Sequence, residues 1–138
     1  MKSVQGNPEP KAATTAYWIM TLLLCAELLT GGTWDLLRTS YVVGIMNRLG
    51  YPLYVLTIIG SWKILAVPAL LAAGLPRLKE WAYAGIFFDM SGAVISHAVR
   101  GESSAVIAPL LVAMLAMVSW KLRPQSRVCR NAMADAKA

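Results

Sequence analysis

The sequence predicts an all-α, polytopic membrane protein, an antiparallel bundle of four transmembrane helices. Hydrophobic residues make up 57% of the 138 residues and charged residues only 14%, whereas a soluble domain carries about 25% charged residues. Four apolar segments approach or reach the roughly 20 residues that a helix needs to cross the hydrocarbon core. Segments this long and Leu-rich cannot be barrel strands, so helices must satisfy their backbone groups in lipid.

The four predicted spans belong to one domain and are joined by short connections. We place the spans at about 16–37, 51–74, 81–99 and 105–122 of a domain that covers 16–124. Short connections force neighbouring helices to run antiparallel. The first connection is the longest and has a helical apolar stripe, which favours a short interfacial helix. Its apolar residues are Val42, Val43, Ile45, Met46 and Leu49. The flanking segments 1–15 and 125–138 are predicted polar tails, the second of them basic.

The basic residues predict the orientation of the bundle. The net charge of +6 does not indicate a nucleic-acid partner, because the basic residues lie at the ends of the apolar segments. Three arginines fall on one side of the predicted topology, Arg38, Arg48 and Arg100. Nine basic residues fall on the other side, namely Lys2, Lys11, Arg77, Lys79, Lys121, Arg123, Arg127, Arg130 and Lys137. The positive-inside rule therefore predicts that both termini are cytoplasmic.

Three ionisable residues lie near the middle of different predicted spans: Glu27, Lys63 and Asp89. A charge at the centre of a membrane-spanning helix costs at least about 2.5–3.5 kcal/mol, so these residues require pairing or a function. The rise of 1.5 Å per residue places all three near the bilayer midplane. Asp35 and His97 lie about two helical turns further toward the outer face, where they form a second polar layer.

Two interpretations of these residues remain open. In the first, Lys63 is an internal counter-ion for Glu27 and Asp89 and only holds the helices together. In the second, the polar residues line a pocket that opens toward the outer leaflet and binds a lipophilic ligand. The second interpretation is favoured because Lys63 neutralises only one midplane acid, and the other then needs a proton, a water molecule or a ligand. The predicted binding residues are Glu27, Asp35, Lys63, Asp89 and His97.

Asp89, His97 and Lys63 are the candidate catalytic residues. The ordinary pKa of histidine is near working pH, so His97 could relay protons with Asp35 or Asp89. Asp35 and His97 provide too few ligands for a metal site, so no bound metal is expected. Cys25 and Cys129 form no CxxC motif, and thiol–disulfide chemistry is not expected.

Several short motifs are similar to those of one family. They are LGYP at 49–52, GSWKIL at 60–65 and PRLKEWAYAG at 76–85, followed by Phe88-Asp89, Gly92-Ala93 and Ser96-His97. Over roughly residues 16–124 the chain resembles the DoxX-like group of small bacterial membrane proteins. Many relatives carry a lysine where this chain has Asp35. The resemblance implies a four-helix fold in the bacterial inner membrane and an association with redox chemistry, since the family is named after a subunit of a thiosulfate:quinone oxidoreductase.

The leading functional hypothesis combines the resemblance with the polar residues. It is a redox-associated subunit without an intrinsic cofactor, whose pocket holds a quinone or another lipophilic molecule and which works with a redox partner protein. Membrane lipids surround the bundle, and a homo-oligomer is left open. The alternatives are a stand-alone membrane enzyme that uses acid/base chemistry, a non-catalytic scaffold, and a transporter.

Overall fold

The computed structural model describes residues 11–124, which form five α-helices and no strand in that range. The helices are α1 (Lys11–Leu36), α2 (Ser40–Leu49), α3 (Tyr54–Leu71), α4 (Pro76–Val99) and α5 (Ile107–Lys121). The predicted all-α class is confirmed. Residues 1–10 and 125–138 of the two predicted tails lie outside the described residues.

Helices α1, α3 and α4 are long and apolar enough to cross a membrane. Helix α5 is apolar as well, but its 15 residues are fewer than a full span needs. The four-span topology and the orientation of the bundle therefore stay predictions. Helix α1 begins at Lys11 and α4 at Pro76, both several residues before the predicted spans. Proline fits the first turn of α4, since its missing N–H group has no partner to lose there.

Helix α2 lies in the connection for which the sequence predicts a short helix. It ends at Leu49 and is capped by Gly50, which adopts the left-handed conformation with φ of 80° and donates its N–H group to the Met46 carbonyl. A glycine in this position satisfies a carbonyl that the helix end would otherwise leave unpaired. Val42 and Leu49 face the protein, whereas Tyr41 is exposed. An interfacial position of this helix stays a prediction.

Helices α1 and α3 form the most extensive helix pair, and two glycines bring their backbones together. A Cβ atom on Gly32 would lie 3.1 Å from the Gly60 carbonyl oxygen. A Cβ atom on Gly60 would lie 2.9 Å from the Gly32 carbonyl oxygen. Small residues at a helix crossing permit this close approach in membrane proteins. The crossing places Asp35 of α1 beside the turn of α3 that carries Lys63.

The remaining helices pack around a core that includes Leu24, Leu28, Leu70 and Met90. Nearer the start of α1 than this core, the Ser119 hydroxyl of α5 lies 2.8 Å from the Thr21 Oγ1 atom and 2.8 Å from the Tyr83 hydroxyl. These three buried hydroxyl groups join α1, α4 and α5 and satisfy one another where water is excluded.

The side chain of Lys79 stabilises the turn between α3 and α4 through hydrogen bonds. The sequence interpretation counted it as an orientation charge, but its side chain is buried and its Nζ atom donates hydrogen bonds to the Ala69 and Leu70 carbonyls. The last carbonyls of a helix lack intrahelical donors, and a lysine beside them supplies both hydrogen bonds and a favourable charge. The turn is thereby held against the end of α3.

Candidate functional site

A groove of about 790 Å³ separates α3 from α4. Its walls are mostly apolar, and Lys63 and Asp89 form its polar end. From there it extends toward the α3–α4 turn, where Leu75 and Trp81 line it. Gly85 also lines the groove, and a Cβ atom at this position would meet nothing within 4 Å. A largely apolar concave surface with a few convergent polar groups is typical of small-molecule sites.

The groove runs in the direction opposite to the one the sequence predicted. The predicted pocket opened toward the end of the bundle that carries Asp35 and His97, and neither residue lines the groove. Pro68, Ala72 and Leu75, which lie in the last turn of α3 and in the connection to α4, border the groove instead. Which end of a helix pair leaves a groove depends on backbone geometry, and hydrophobic patterning does not contain that geometry.

Lys63 forms an ion pair with Asp35, in which its Nζ atom lies 2.9 Å from the Asp35 Oδ2 atom. The exposed fractions of the two side chains are 15% and 8%. The sequence interpretation paired Lys63 with Glu27 or Asp89, so the partner is different. The glycine crossing accounts for this, because a Cβ atom on Gly60 would lie only 2.9 Å from the Asp35 Cβ atom. The long lysine stem bridges the remaining helical turn.

Glu27 and Asp89 carry the other two carboxyl groups within electrostatic range of this ion pair. The Glu27 Oε1 atom and the Lys63 Nζ atom would be 3.4 Å and 3.7 Å from a Cβ atom on Gly31, so both border the same small gap. Glu27 Oε2 is buried and accepts no hydrogen bond from the described part of the chain. Asp89 is half-buried at the groove and lies within electrostatic range of Lys63. Three carboxyl groups therefore lie within electrostatic range of one lysine, and Asp35 is the one in direct contact with it.

His97 lies apart from this cluster. Its side chain is buried, and its Nδ1 atom is 2.7 Å from the Glu102 Oε2 atom in the connection between α4 and α5. The structure thus joins His97 to Glu102 and not to Asp35 or Asp89, with which the sequence predicted a proton relay. Of the five predicted site residues, Lys63 and Asp89 line the groove. Glu27 and Asp35 approach Lys63 from α1, and His97 contacts Glu102 instead.

The sequence did not predict the ion pair between Arg48 and Glu102. Arg48 of α2 places its Nε atom 2.9 Å from the Glu102 Oε1 atom, so one carboxylate links α2 to the end of α4. The signal in the sequence was a lone acid in a short loop, five residues after a histidine. That signal did not reveal Arg48, which is 54 positions away from Glu102. No group of three or more potential metal-ligating side chains occurs in residues 11–124.

Acidification is expected to release α2 from Glu102. Hydrogen bonds from His97 and then from Arg48 lower the pKa of the Glu102 carboxyl group. Because this pKa is lower in the folded protein than in the unfolded chain, the interaction stabilises the fold above the usual glutamate pKa of about 4.3. The contribution is lost as the pH falls through the lowered folded value. Hydrogen-exchange protection of residues 40–49 should therefore decrease at acidic pH.

The matched variant for this measurement is Glu102→Gln, which cannot ionise. Protection of residues 40–49 should be weaker in Glu102→Gln at neutral pH and should change less on acidification. Protection that decreases equally in both proteins would show that another group is responsible.

Long apolar helices with a polar-ended groove between two of them define an α-helical integral membrane protein. A family model described as the DoxX-like family matches residues 19–119, which is most of the chain. The protein belongs to the DoxX-like family, and the resemblance predicted from its motifs is confirmed. Comparison with curated proteins and with solved structures gives no match.

Proposed function

We propose that the protein is a redox-associated membrane subunit whose α3–α4 groove binds a quinone or another lipophilic small molecule. The observation that supports this proposal is the groove itself, with apolar walls and one polar end at Lys63 and Asp89. Its volume of about 790 Å³ is within the range of roughly 300–1,000 Å³ for small-molecule sites. The apolar walls would hold a hydrocarbon chain, and the polar end would bind the head group.

The charges at the polar end support a role in proton transfer. Glu27 and Asp89 each lie within electrostatic range of both Lys63 and Asp35. One lysine neutralises one carboxylate, so the other two require a proton, water or a ligand in this low-dielectric environment. Asp89 borders the groove and is the acid placed to exchange a proton with a bound head group. Lys63 would orient the same group through its ammonium.

A redox partner protein belongs to this proposal. The chain contains one histidine and two cysteines, whereas an iron–sulfur cluster is commonly held by four cysteine thiolates. Electrons for a bound quinone would therefore come from another protein. We further place the protein in the bacterial inner membrane with both termini cytoplasmic, as the distribution of basic residues supports.

A scaffold without a ligand is the second candidate. The Lys63–Asp35 ion pair favours it, because this pair is satisfied within the bundle at 2.9 Å and needs no ligand. The stand-alone enzyme has less support. Its catalytic pair was Asp89 with His97, and His97 is bonded to Glu102 instead.

Filling the groove tests the binding function directly. Gly85→Leu would place a side chain in the groove without a clash at its Cβ atom, since nothing lies within 4 Å. We expect it to weaken the binding of decylubiquinone to purified protein in nanodiscs by at least about tenfold, or roughly 1.4 kcal/mol. Asp89→Asn should weaken binding as well, because it removes the acid at the polar end.

Gly92→Leu is the matched control. It introduces the same side chain into the same helix, also with nothing within 4 Å of its Cβ atom, but outside the groove. Equal binding by Gly85→Leu and Gly92→Leu would exclude the groove as the site. Absence of saturable binding by the unmodified protein would reject the quinone and leave the scaffold as the better explanation.

A further inference from the structure

Lys63 has a second carboxyl group close to it besides that of its partner Asp35. Glu27, Gly31 and Asp35 occupy successive turns of α1, so the two acids stand on either side of the glycine. Glu27 Oε1 and Lys63 Nζ both border the gap that Gly31 leaves without a side chain. Glu27 Oε2 is buried and accepts no hydrogen bond within residues 11–124. A buried carboxylate oxygen in this situation favours any donor that can reach it.

The two acids lie in opposite directions along the bundle. Asp35 is about 6 Å from Gly31 toward the α2 end, and Glu27 is about 6 Å from it toward the other end. The groove also extends toward that other end, from Lys63 and Asp89 to the α3–α4 turn. Glu27 lies within electrostatic range of Asp89, which lines the groove. An ammonium bound to Glu27 would therefore stay beside the polar end of the groove, whereas Asp35 draws it away.

We propose that Lys63 exchanges between Asp35 and Glu27 across the gap at Gly31, and that the Glu27-bound position is the one that presents its ammonium to a ligand in the groove. The presentation of the ammonium to a ligand rests on the proposed function, whereas the exchange itself does not. Asp35 is then a positioning residue that holds Lys63 in a ligand-free state. A ligand whose head group accepts a hydrogen bond selects the other state.

Gly31 is the residue that permits the exchange. A Cβ atom there would be 3.4 Å from Glu27 Oε1 and 3.7 Å from Lys63 Nζ, which are ordinary contact distances, so Gly31→Ala should fold normally. Its methyl group would nevertheless occupy the space in which the ammonium and the Glu27 carboxyl group must meet. Gly92→Ala adds the same methyl group to α4 with nothing within 4 Å and serves as the control.

The exchange can be measured without a ligand. Magic-angle-spinning NMR of protein with ¹⁵N-labelled lysine and ¹³C-labelled carboxyl groups detects which carboxyl group lies beside Lys63 Nζ. We expect coupling to Asp35 in the unmodified protein and coupling to Glu27 in Asp35→Asn, which keeps the shape of the side chain. Adding Gly31→Ala to Asp35→Asn should abolish the coupling to Glu27. If Asp35→Asn shows no coupling to Glu27, the exchange is disproved.

Decylubiquinone binding tests the link to the groove. We expect Gly31→Ala to weaken binding by about tenfold, Asp35→Asn to tighten it, and Gly92→Ala to leave it unchanged. Unaltered affinity in Gly31→Ala and Asp35→Asn, together with normal binding by the unmodified protein, would overturn the role of the exchange in ligand recognition. If none of the proteins binds the probe, the proposed function fails, and the NMR measurement still decides whether Lys63 exchanges its partner.

Discussion

Lys63→Met is expected to lower the free energy of unfolding by about 3–5 kcal/mol, the range for removal of one partner of a buried ion pair. Asp35 is buried, and its Oδ2 atom accepts a hydrogen bond from Lys63 Nζ. Without the lysine, the carboxyl group stays buried and loses its cation. Among residues 11–124, Lys63 is the only cation that lines the groove, so ligand binding should be lost too. Chemical denaturation in detergent, followed by circular dichroism, measures the change in stability.

The double variant Asp35→Leu with Lys63→Met separates stability from function. An apolar pair of similar volume often replaces a buried ion pair without loss of stability. We therefore expect the double variant to recover most of the lost stability and to remain unable to bind decylubiquinone. A Lys63→Met protein as stable as the unmodified one would show that the ion pair contributes little. Recovery of binding in the double variant would show that Lys63 does not contact the ligand.

Gly60→Ala is expected to destabilise the protein by about 3 kcal/mol, at the upper end of the cost of overpacking. Its Cβ atom would lie 2.9 Å from the Gly32 carbonyl oxygen and 2.9 Å from the Asp35 Cβ atom. These contacts involve a backbone atom and the first atom of a side chain, so rotation of a side chain cannot relieve them. Helices α1 and α3 would have to separate, and the packing between them would weaken.

Gly92→Ala provides the comparison for this prediction. The same methyl group meets nothing within 4 Å, and alanine is favoured over glycine inside a helix by about 0.5–1 kcal/mol. Its stability should equal or slightly exceed that of the unmodified protein. If Gly60→Ala and Gly92→Ala unfold at the same denaturant concentration, the close crossing of α1 and α3 is not important for stability. Because Gly60→Ala displaces Asp35, it should also disturb the Lys63 ion pair.

The class of the protein and several members of the site could be predicted from the sequence alone. Long apolar segments must be helical in lipid, so composition and segment length were enough to establish an all-α membrane protein. Lys63 and Asp89 were recognisable because an ionisable residue in the middle of an apolar helix is costly wherever the helix packs. The family motifs between 49 and 97 carried the resemblance that the match over residues 19–119 confirms.

Only the tertiary structure decided which groups meet. Depth along a helix follows from the rise per residue, but the partner of Lys63 depends on the crossing of α1 and α3 and on the reach of the lysine stem. Gly32 and Gly60 set that crossing and bring Asp35 to within 2.9 Å of Lys63. His97 likewise bonds to Glu102, since a short connection returns the chain to the end of α4. Hydropathy depends on the composition of single segments, whereas pairing depends on the relative position of several helices, which is set by packing.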